Sequence, residues 1–139
     1  MTRVIREATR DDVPAIRLLM EAEPGLWHHD WSDATLARGI ETGGDLALVW
    51  EEDTAIVGFV CAHDLGFRAY LSELIVAREA RGRGIGRHLV ERIQAQLARR
   101  GRRILIADVW HDAEPFYRSL GWEPPDAVLL RRKLDHRAG

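Results

Sequence analysis

Between Tyr70 and Gly101 the apolar residues change their period, and that change dictates the local architecture. Tyr70 to Val76 reads as a strand, whereas Ile85, Leu89, Val90, Ile93 and Leu97 recur at the 3.6-residue helical spacing up to a stop at Gly101. The segment joining them, Arg81-Gly82-Arg83-Gly84-Ile85-Gly86, places three glycines in five residues. Strand, glycine-rich turn and helix in that order present several backbone N–H groups without intrahelical partners at a helix N-terminus, where the macrodipole also favours negative charge. Gly82, Gly84 and Gly86 lack Cβ atoms, so the backbone there can take positive φ and approach a ligand closely. Arg81, Arg83 and Arg87 add positive charge. The expected ligand is a phosphate group.

Charge is distributed accordingly. The formal net charge is −2, yet residues 78–103 hold nine arginines against Glu79 and Glu91, a local +7 that leaves the rest near −9. A basic segment in an acidic chain fits a local polyphosphate site better than a broad nucleic-acid surface. Arg92, Arg99 and Arg100 read as a solvated helix face. Two familiar phosphate motifs do not fit: a Walker A loop ends in Gly-Lys-Ser/Thr, and the one lysine is Lys133. A dinucleotide fingerprint beginning at Gly82 would need glycine where Arg87 stands.

The remaining chain supplies the elements around this unit. Val4-Ile5-Arg6 is a short strand, and Thr9 with Asp12 makes a capping box before a helix carrying Val13, Ile16, Leu19 and Met20. Ser32 caps a second helix with Leu36 and Ile40 on one face, closed by Gly43-Gly44. Leu46 to Trp50 and Ala55 to Ala62 form an antiparallel hairpin, with Tyr70 to Val76 as the third strand of a meander. A strand from Arg103 to Trp110 follows the long helix. Asp112 then caps a short helix ended by Gly121, and Val128 to Leu134 is a last strand. The order β α α β β β α β α β implies an α/β (α+β) fold: one domain, residues 1–139, with a mixed, mostly antiparallel central sheet and helices on both faces.

No apolar stretch approaches the roughly 20 residues of a membrane span, and the N-terminus lacks a signal-peptide pattern, so a cytoplasmic protein without a membrane partner is expected. Cys61 is the one cysteine, which excludes an internal disulfide, and its apolar strand context suggests an inert thiol. His28, His29 and Asp30 are adjacent in sequence and do not make a zinc site; no metal is expected.

Leu74-Ile75-Val76, the run Arg81 to Gly86 and Leu89 together resemble the acetyl-CoA-binding signature of the GNAT superfamily of N-acetyltransferases, in which Gln or Arg precedes x-x-Gly-x-Gly or Ala; Arg81, Gly84 and Gly86 match. Phe116-Tyr117 with Leu120-Gly121-Trp122 resembles the second signature of that superfamily. One departure is Trp110, where an asparagine often stands. The resemblance covers nearly the whole chain and implies acetyl-CoA as acyl donor and a small-molecule or peptide amine as acceptor. It implies that backbone N–H groups from Arg81 to Arg87 hold the pyrophosphate, that Leu74, Ile75 and Val76 pair with the pantetheine arm, and that the Val76 N–H polarises the thioester carbonyl. Dimers are common in the superfamily, which leaves a homodimer open.

Transfer to an amine needs a base and a proton for the departing thiolate. Tyr117 matches the family tyrosine that donates to the sulfur. Glu73 is the candidate base: strict alternation would set it on the face of Leu71 and Ile75, half-buried. His111 and Asp112 are alternatives. Trp27-His28-His29-Asp30-Trp31 either borders the acceptor pocket or packs on the sheet. Two other functions remain open at this point: a GNAT-fold acyl-CoA-binding protein without turnover, and a nucleotide- or nucleic-acid-binding module.

Overall fold

The computed structural model describes residues 2–134, which divide into two compact units, one ending at Ala107 and one beginning at Asp108. The first unit is built on five strands in the order β1-β2-β3-β4-β5: β1 (Arg3–Glu7), β2 (Ala47–Glu52), β3 (Ala55–Asp64), β4 (Ala69–Val76) and β5 (Leu105–Ile106). The first four pair antiparallel and β5 joins β4 in parallel. Helices α1 (Val13–Glu21) and α2 (Asp33–Gly43) cover one face of the sheet, where Ala47, Val49, Phe59, Cys61 and Ile75 join Val13, Ile16, Met20, Leu36 and Ile40 in one buried cluster. Helix α3 (Ile85–Arg99) covers the other; a Cβ added to Gly58 would stand 3.1 Å from Ile85 and 3.2 Å from Leu89. This is the mixed, mostly antiparallel sheet with helices on both faces that the element order implies.

Capping chemistry starts both early helices. Thr9 N–H donates to Asp12 Oδ2 at 2.7 Å, and a 3-10 turn at Arg10–Asp12 runs directly into α1, with Pro14 in its first turn. Ser32 Oγ accepts from Thr35 N–H at the start of α2, while Ser32 N–H donates to Thr35 Oγ1 at 3.1 Å. Gly43 is buried against β3, where a Cβ would meet Cys61 Sγ at 2.8 Å, so the helix can approach the sheet only with glycine there.

Three expectations are corrected. The strand expected over 103–110 is reduced to Leu105–Ile106, because β4 offers it a ladder only at Ala69 and Tyr70. No strand forms over 128–134 among the described residues; Val128-Leu129-Leu130 followed by Arg131-Arg132-Lys133 clusters apolar and charged residues instead of alternating them, so no face can be buried. Asp112 does not cap α4 (Glu114–Ser119); Ala113 does, inside a turn whose Ala113 and Glu114 N–H groups both donate to Trp110 O. The far end of α4 closes as expected: Gly121 has φ +95°, Gly121 N–H donates to Arg118 O at 3.0 Å and Trp122 N–H to Tyr117 O at 3.1 Å.

β1 is tied to the start of α1 by a fork of hydrogen bonds from Arg6 to buried Asp12, Nη1 to Oδ2 and Nη2 to Oδ1, each 2.8 Å. Those bonds hold the Asp12 carboxyl below the ordinary carboxylate range. The native state therefore binds fewer protons at Asp12 than the unfolded chain does. This contribution is complete above about pH 4, the ordinary carboxylate range, and is lost as pH falls through the lower native value. Asp12→Asn is expected to cost about 2 kcal/mol at neutral pH, and less as the solution is acidified. Urea unfolding of both proteins at pH 7 and pH 3 checks it.

Candidate active site

β4 leaves the sheet through a 3-10 turn at Arg78–Ala80 and enters α3 through Gly82 at φ +79° and Gly84 at φ +84°, the latter being the N-cap. A Cβ would meet nothing within 4 Å at Gly82, so the backbone conformation and not crowding demands glycine there. Gly86 lies inside the first turn of α3 without a positive φ. The bond that closes the first turn runs from His88 N–H to Gly84 O at 3.0 Å, which leaves the N–H groups of Ile85, Gly86 and Arg87 as the orphan donors of the helix start.

The arginines of this turn are held by carboxylates. Glu23, just past the end of α1, accepts from Arg78 Nε at 2.9 Å and from Arg81, whose Nε donates to Val76 O at 3.0 Å. Arg83 pairs with Glu52, a buried carboxylate at the end of β2 that also accepts from Trp50 Nε1 at 3.1 Å. Arg87 pairs with Glu91 at 3.6 Å. Glu23, chiefly through Arg78, and Glu52, chiefly through Arg83, are held below the ordinary carboxylate range. The turn is thus positioned by ion pairs to two other elements, a signal the sequence motif did not carry.

The strand before the turn has one open edge. β5 pairs with β4 at Ala69 and Tyr70, so Leu71 to Val76 run on without a β5 partner. On the other side Ala77 N–H donates to Val57 O at 2.8 Å. Because antiparallel ladders alternate, Ile75 turns its amide to β3, whereas Leu74 and Val76 turn theirs to the open edge. Ile75 is buried in the core and Leu74 and Val76 are half-buried.

A bulge in β4 resets the faces below this point. Cys61 pairs with Glu73 and Ala62 with Leu71, which leaves Ser72 as an extra residue. Glu73 therefore shares the face of Cys61 and Ile75, while Leu71 turns to the α3 side; strict alternation from the sequence placed Leu71 and Glu73 together, and the inserted residue separates them. Ser72 Oγ lies 2.9 Å from His63 Nε2, and His63 Nδ1 lies 3.2 Å from Thr42 Oγ1 of α2. Burial lowers the His63 imidazole below its usual range and pushes the Cys61 thiol up to about 12. His63 and Ser72 were not singled out in the sequence, because nothing in a lone histidine and a lone serine nine residues apart announces a bulge that joins them.

On the same face as α1 a cleft of about 620 Å³ opens between that helix, the tip of the β2–β3 hairpin and the end of β4. Asp11, Asp12, Glu23, Glu51 and Glu79 line it together with Val76. Between α1 and α2, Trp27 and Trp31 meet edge to face with centroids 5.6 Å apart and pack against the core, and the Arg17 guanidinium lies 4.6 Å over Trp27. His28 and His29 are exposed. In the second unit Tyr117 is buried between Phe116 and Trp122, each 5.2 Å away edge to face, whereas Trp110, His111 and Asp112 are exposed. Among the described residues no group of three or more His, Cys, Asp or Glu side chains is placed to hold a metal ion.

Residues 13–122 match the model of the Acetyltransferase (GNAT) family. The chain belongs to that family. Over 135 residues it is 32% identical to peptidyl-lysine N-acetyltransferase YiaC of Escherichia coli (strain K12), covering 90% of this chain and 86% of that one. Over 119 residues it is 31% identical to acetyltransferase YE1169 of Yersinia enterocolitica, covering 78% and 84%. Its fold is similar to that of the PaiA N-acetyltransferase of Thermoplasma acidophilum in complex with coenzyme A, with TM-score 0.79, 17% identity, and 92% and 94% of the two chains covered. It is also similar to AAC(6')-Iy in complex with a CoA-linked bisubstrate analogue, with TM-score 0.76, 23% identity, and 96% and 99% covered. This GNAT enzyme is an acyltransferase and its donor is acetyl-CoA; the orphan amides at the start of α3 and the open edge of β4 are the features of the structure that fit such a donor. Binding without turnover and the nucleic-acid module are not favoured.

Acetyl-CoA at a hundredfold excess over its Kd is expected to stabilise the enzyme by about 2.7 kcal/mol. Gly84→Ala, which forces a Cβ onto φ +84°, is expected to cost about 1–2 kcal/mol without ligand and to shrink the ligand-induced shift. Thermal melts of both proteins with and without acetyl-CoA measure the two effects; a wild-type melting point in Gly84→Ala would show that the left-handed cap is dispensable.

Proposed function

We propose that this acetyltransferase passes the acetyl group directly from acetyl-CoA to a cationic primary amine, with the lysine side chain of a peptide as its leading acceptor. The observation that carries the acceptor class is the cleft beside Val76, where five carboxylates stand against three arginines, Arg6 paired with Asp12 and Glu51, and Arg78 and Arg81 paired with Glu23, so that a negative balance favouring cations remains at Asp11 and Glu79. The Escherichia coli relative, a peptidyl-lysine N-acetyltransferase, points the same way. Polyamines and aminoglycosides carry the same charge and form the comparison arms of the test. Acetyl-CoA as donor supports action in the cytoplasm.

In this reading the amides from Arg81 to Arg87 take the pyrophosphate, with the orphan donors of the α3 start foremost. The pantetheine arm then runs back from the turn along the open edge. The Val76 amide meets that arm first, and Leu74, a further two residues along the strand, meets its reacting end. This moves the oxyanion donor expected at Val76 to the Leu74 N–H, whose dipole is fixed by the β3–β4 ladder before charge develops. Ile75, with its amide in that ladder, supports the strand from behind. Glu73 attracts and orients the acceptor ammonium, and Tyr117 returns a proton to the departing thiolate.

A thiol-release assay across lysine peptides, polyamines, aminoglycosides and free amino acids tests the acceptor class; turnover confined to neutral or acidic acceptors would overturn it. Tyr117→Phe is expected to lower kcat about a hundredfold while leaving the thermal shift with acetyl-CoA nearly unchanged. Wild-type turnover in that variant would remove Tyr117 from the chemistry.

A further inference from the structure

The β4 bulge brings together groups that the scheme above does not use. His63 is half-buried on β3, with one ring nitrogen facing Ser72 and the other facing Thr42, at 2.9 Å and 3.2 Å. We propose that His63, acting through the Ser72 hydroxyl, is the base that removes the proton of the attacking amine. The proposal rests on the acetyl transfer described above and assigns its missing proton acceptor.

Hydrogen-bond bookkeeping supports this role. Thr42 Oγ1 donates to Gly39 O at 3.0 Å, so towards His63 it accepts, which puts the single proton of the neutral imidazole on Nδ1. Nε2 is then an unprotonated acceptor that receives the hydroxyl proton of Ser72; Cys61 Sγ lies farther from it, at 3.7 Å, and its thiol donates to Gly39 O. Ser72 Oγ has a second acceptor, Cys61 O at 3.3 Å. When Nε2 gains a proton it donates to Ser72, and the hydroxyl turns to Cys61 O. Every donor and acceptor is satisfied in both protonation states, so a proton can arrive without stranding a buried polar group. Burial holds the imidazole below its usual range, so it is neutral near pH 7, the state a base requires.

The step balances. The acceptor reacts as the neutral amine, its ammonium proton having gone to solvent; the amine nitrogen bonds to the thioester carbon, and its surplus proton passes to Ser72 Oγ as the Ser72 hydroxyl proton moves to His63 Nε2. The C–S bond then breaks, the thiolate takes its proton from Tyr117, and amide and free thiol result. After the amide leaves, the imidazolium returns its Nε2 proton through the Ser72 hydroxyl to solvent, which restores the Nδ1-protonated ring, and Tyr117 is reprotonated from solvent. The charged and titratable groups on the surrounding elements are these. On α2, Glu41 is paired with Arg38 at 3.7 Å; on β3 lie Cys61 and also Asp64, paired with Arg102 at 2.6 Å; on β4 are Tyr70, the register partner of His63, and Glu73.

The test is the pH dependence of kcat with acetyl-CoA and a lysine peptide, for wild type, His63→Gln, Ser72→Ala and Glu73→Gln, each shown to be folded by its thermal shift with acetyl-CoA. Wild type is expected to lose activity on the acid side as an imidazole protonates. His63→Gln is expected to lower kcat about a hundredfold and to abolish that limb, Ser72→Ala to lower kcat with the limb retained, and Glu73→Gln mainly to raise the KM for the peptide. NMR titration of the His63 ring in the enzyme provides a readout independent of turnover, and its midpoint is expected to coincide with the acid limb. A wild-type kcat and acid limb in His63→Gln, or loss of the limb in Glu73→Gln instead, would overturn the proposal. Absence of turnover by wild type with every amine would instead count against the transfer reaction itself.

Discussion

Everything at the site depends on how β4 spends its two hydrogen-bonding edges. One edge is paired with β3 from Ala69 to Val76, while the other is paired with β5 for two residues and then released. The first pairing makes the strand rigid, because its alternate amides are fixed and Ile75 is anchored in the core. The release turns the remaining alternate amides, Leu74 and Val76, into donors that a ligand can use without disturbing the sheet. A strand paired on both edges would have no donors to offer, and one paired on neither would have no fixed direction in which to offer them. The same ladder carries the bulge at Ser72, which bends the strand where its open edge begins and brings Ser72 and Glu73 towards the α2 face.

The glycine-rich turn is stiffened by opposite charge drawn from distant parts of the chain. Glu23 comes from just beyond α1 and Glu52 from the end of β2, yet they hold Arg78, Arg81 and Arg83 beside one helix start. These pairs are partly exposed on the arginine side, so their net worth in stability is small. Their value is geometric, since they hold the backbone that carries the amides. Arg6, bridging Asp12 and Glu51, plays a comparable part at the opposite end of α1.

Much of this architecture was legible in the sequence because it is local. The 3.6-residue repeat from Ile85 to Leu97, the Thr9–Asp12 and Ser32–Thr35 caps and the Gly121 helix stop depend on residues within a few positions of one another. The failures share a different cause. Arg103 to Trp110 and Val128 to Leu134 have strand-like composition, but a strand needs a neighbour, and neither stretch finds a full ladder. Asp112 has the right chemistry for a cap but lies one residue too early for the turn that starts α4. Placing Leu71 beside Glu73 failed because a single inserted residue inverts every face beyond it. The two family signatures were visible as motifs, whereas the partners of the turn's arginines and the His63–Ser72 contact join residues from separate elements and have no local signature.

The local neutralisation of Arg78, Arg81, Arg83 and Arg87 has a consequence for life in a crowded cell. A cationic surface binds polyanions largely by releasing the counterions condensed on them, and arginines already matched to Glu23, Glu52 and Glu91 have little such release to offer. RNA then gains little by approaching this helix start, whereas the directed N–H groups of Ile85, Gly86 and Arg87 stay open to a compact anion. Charge counted along the chain describes a basic segment; charge paired in space makes it a selective one.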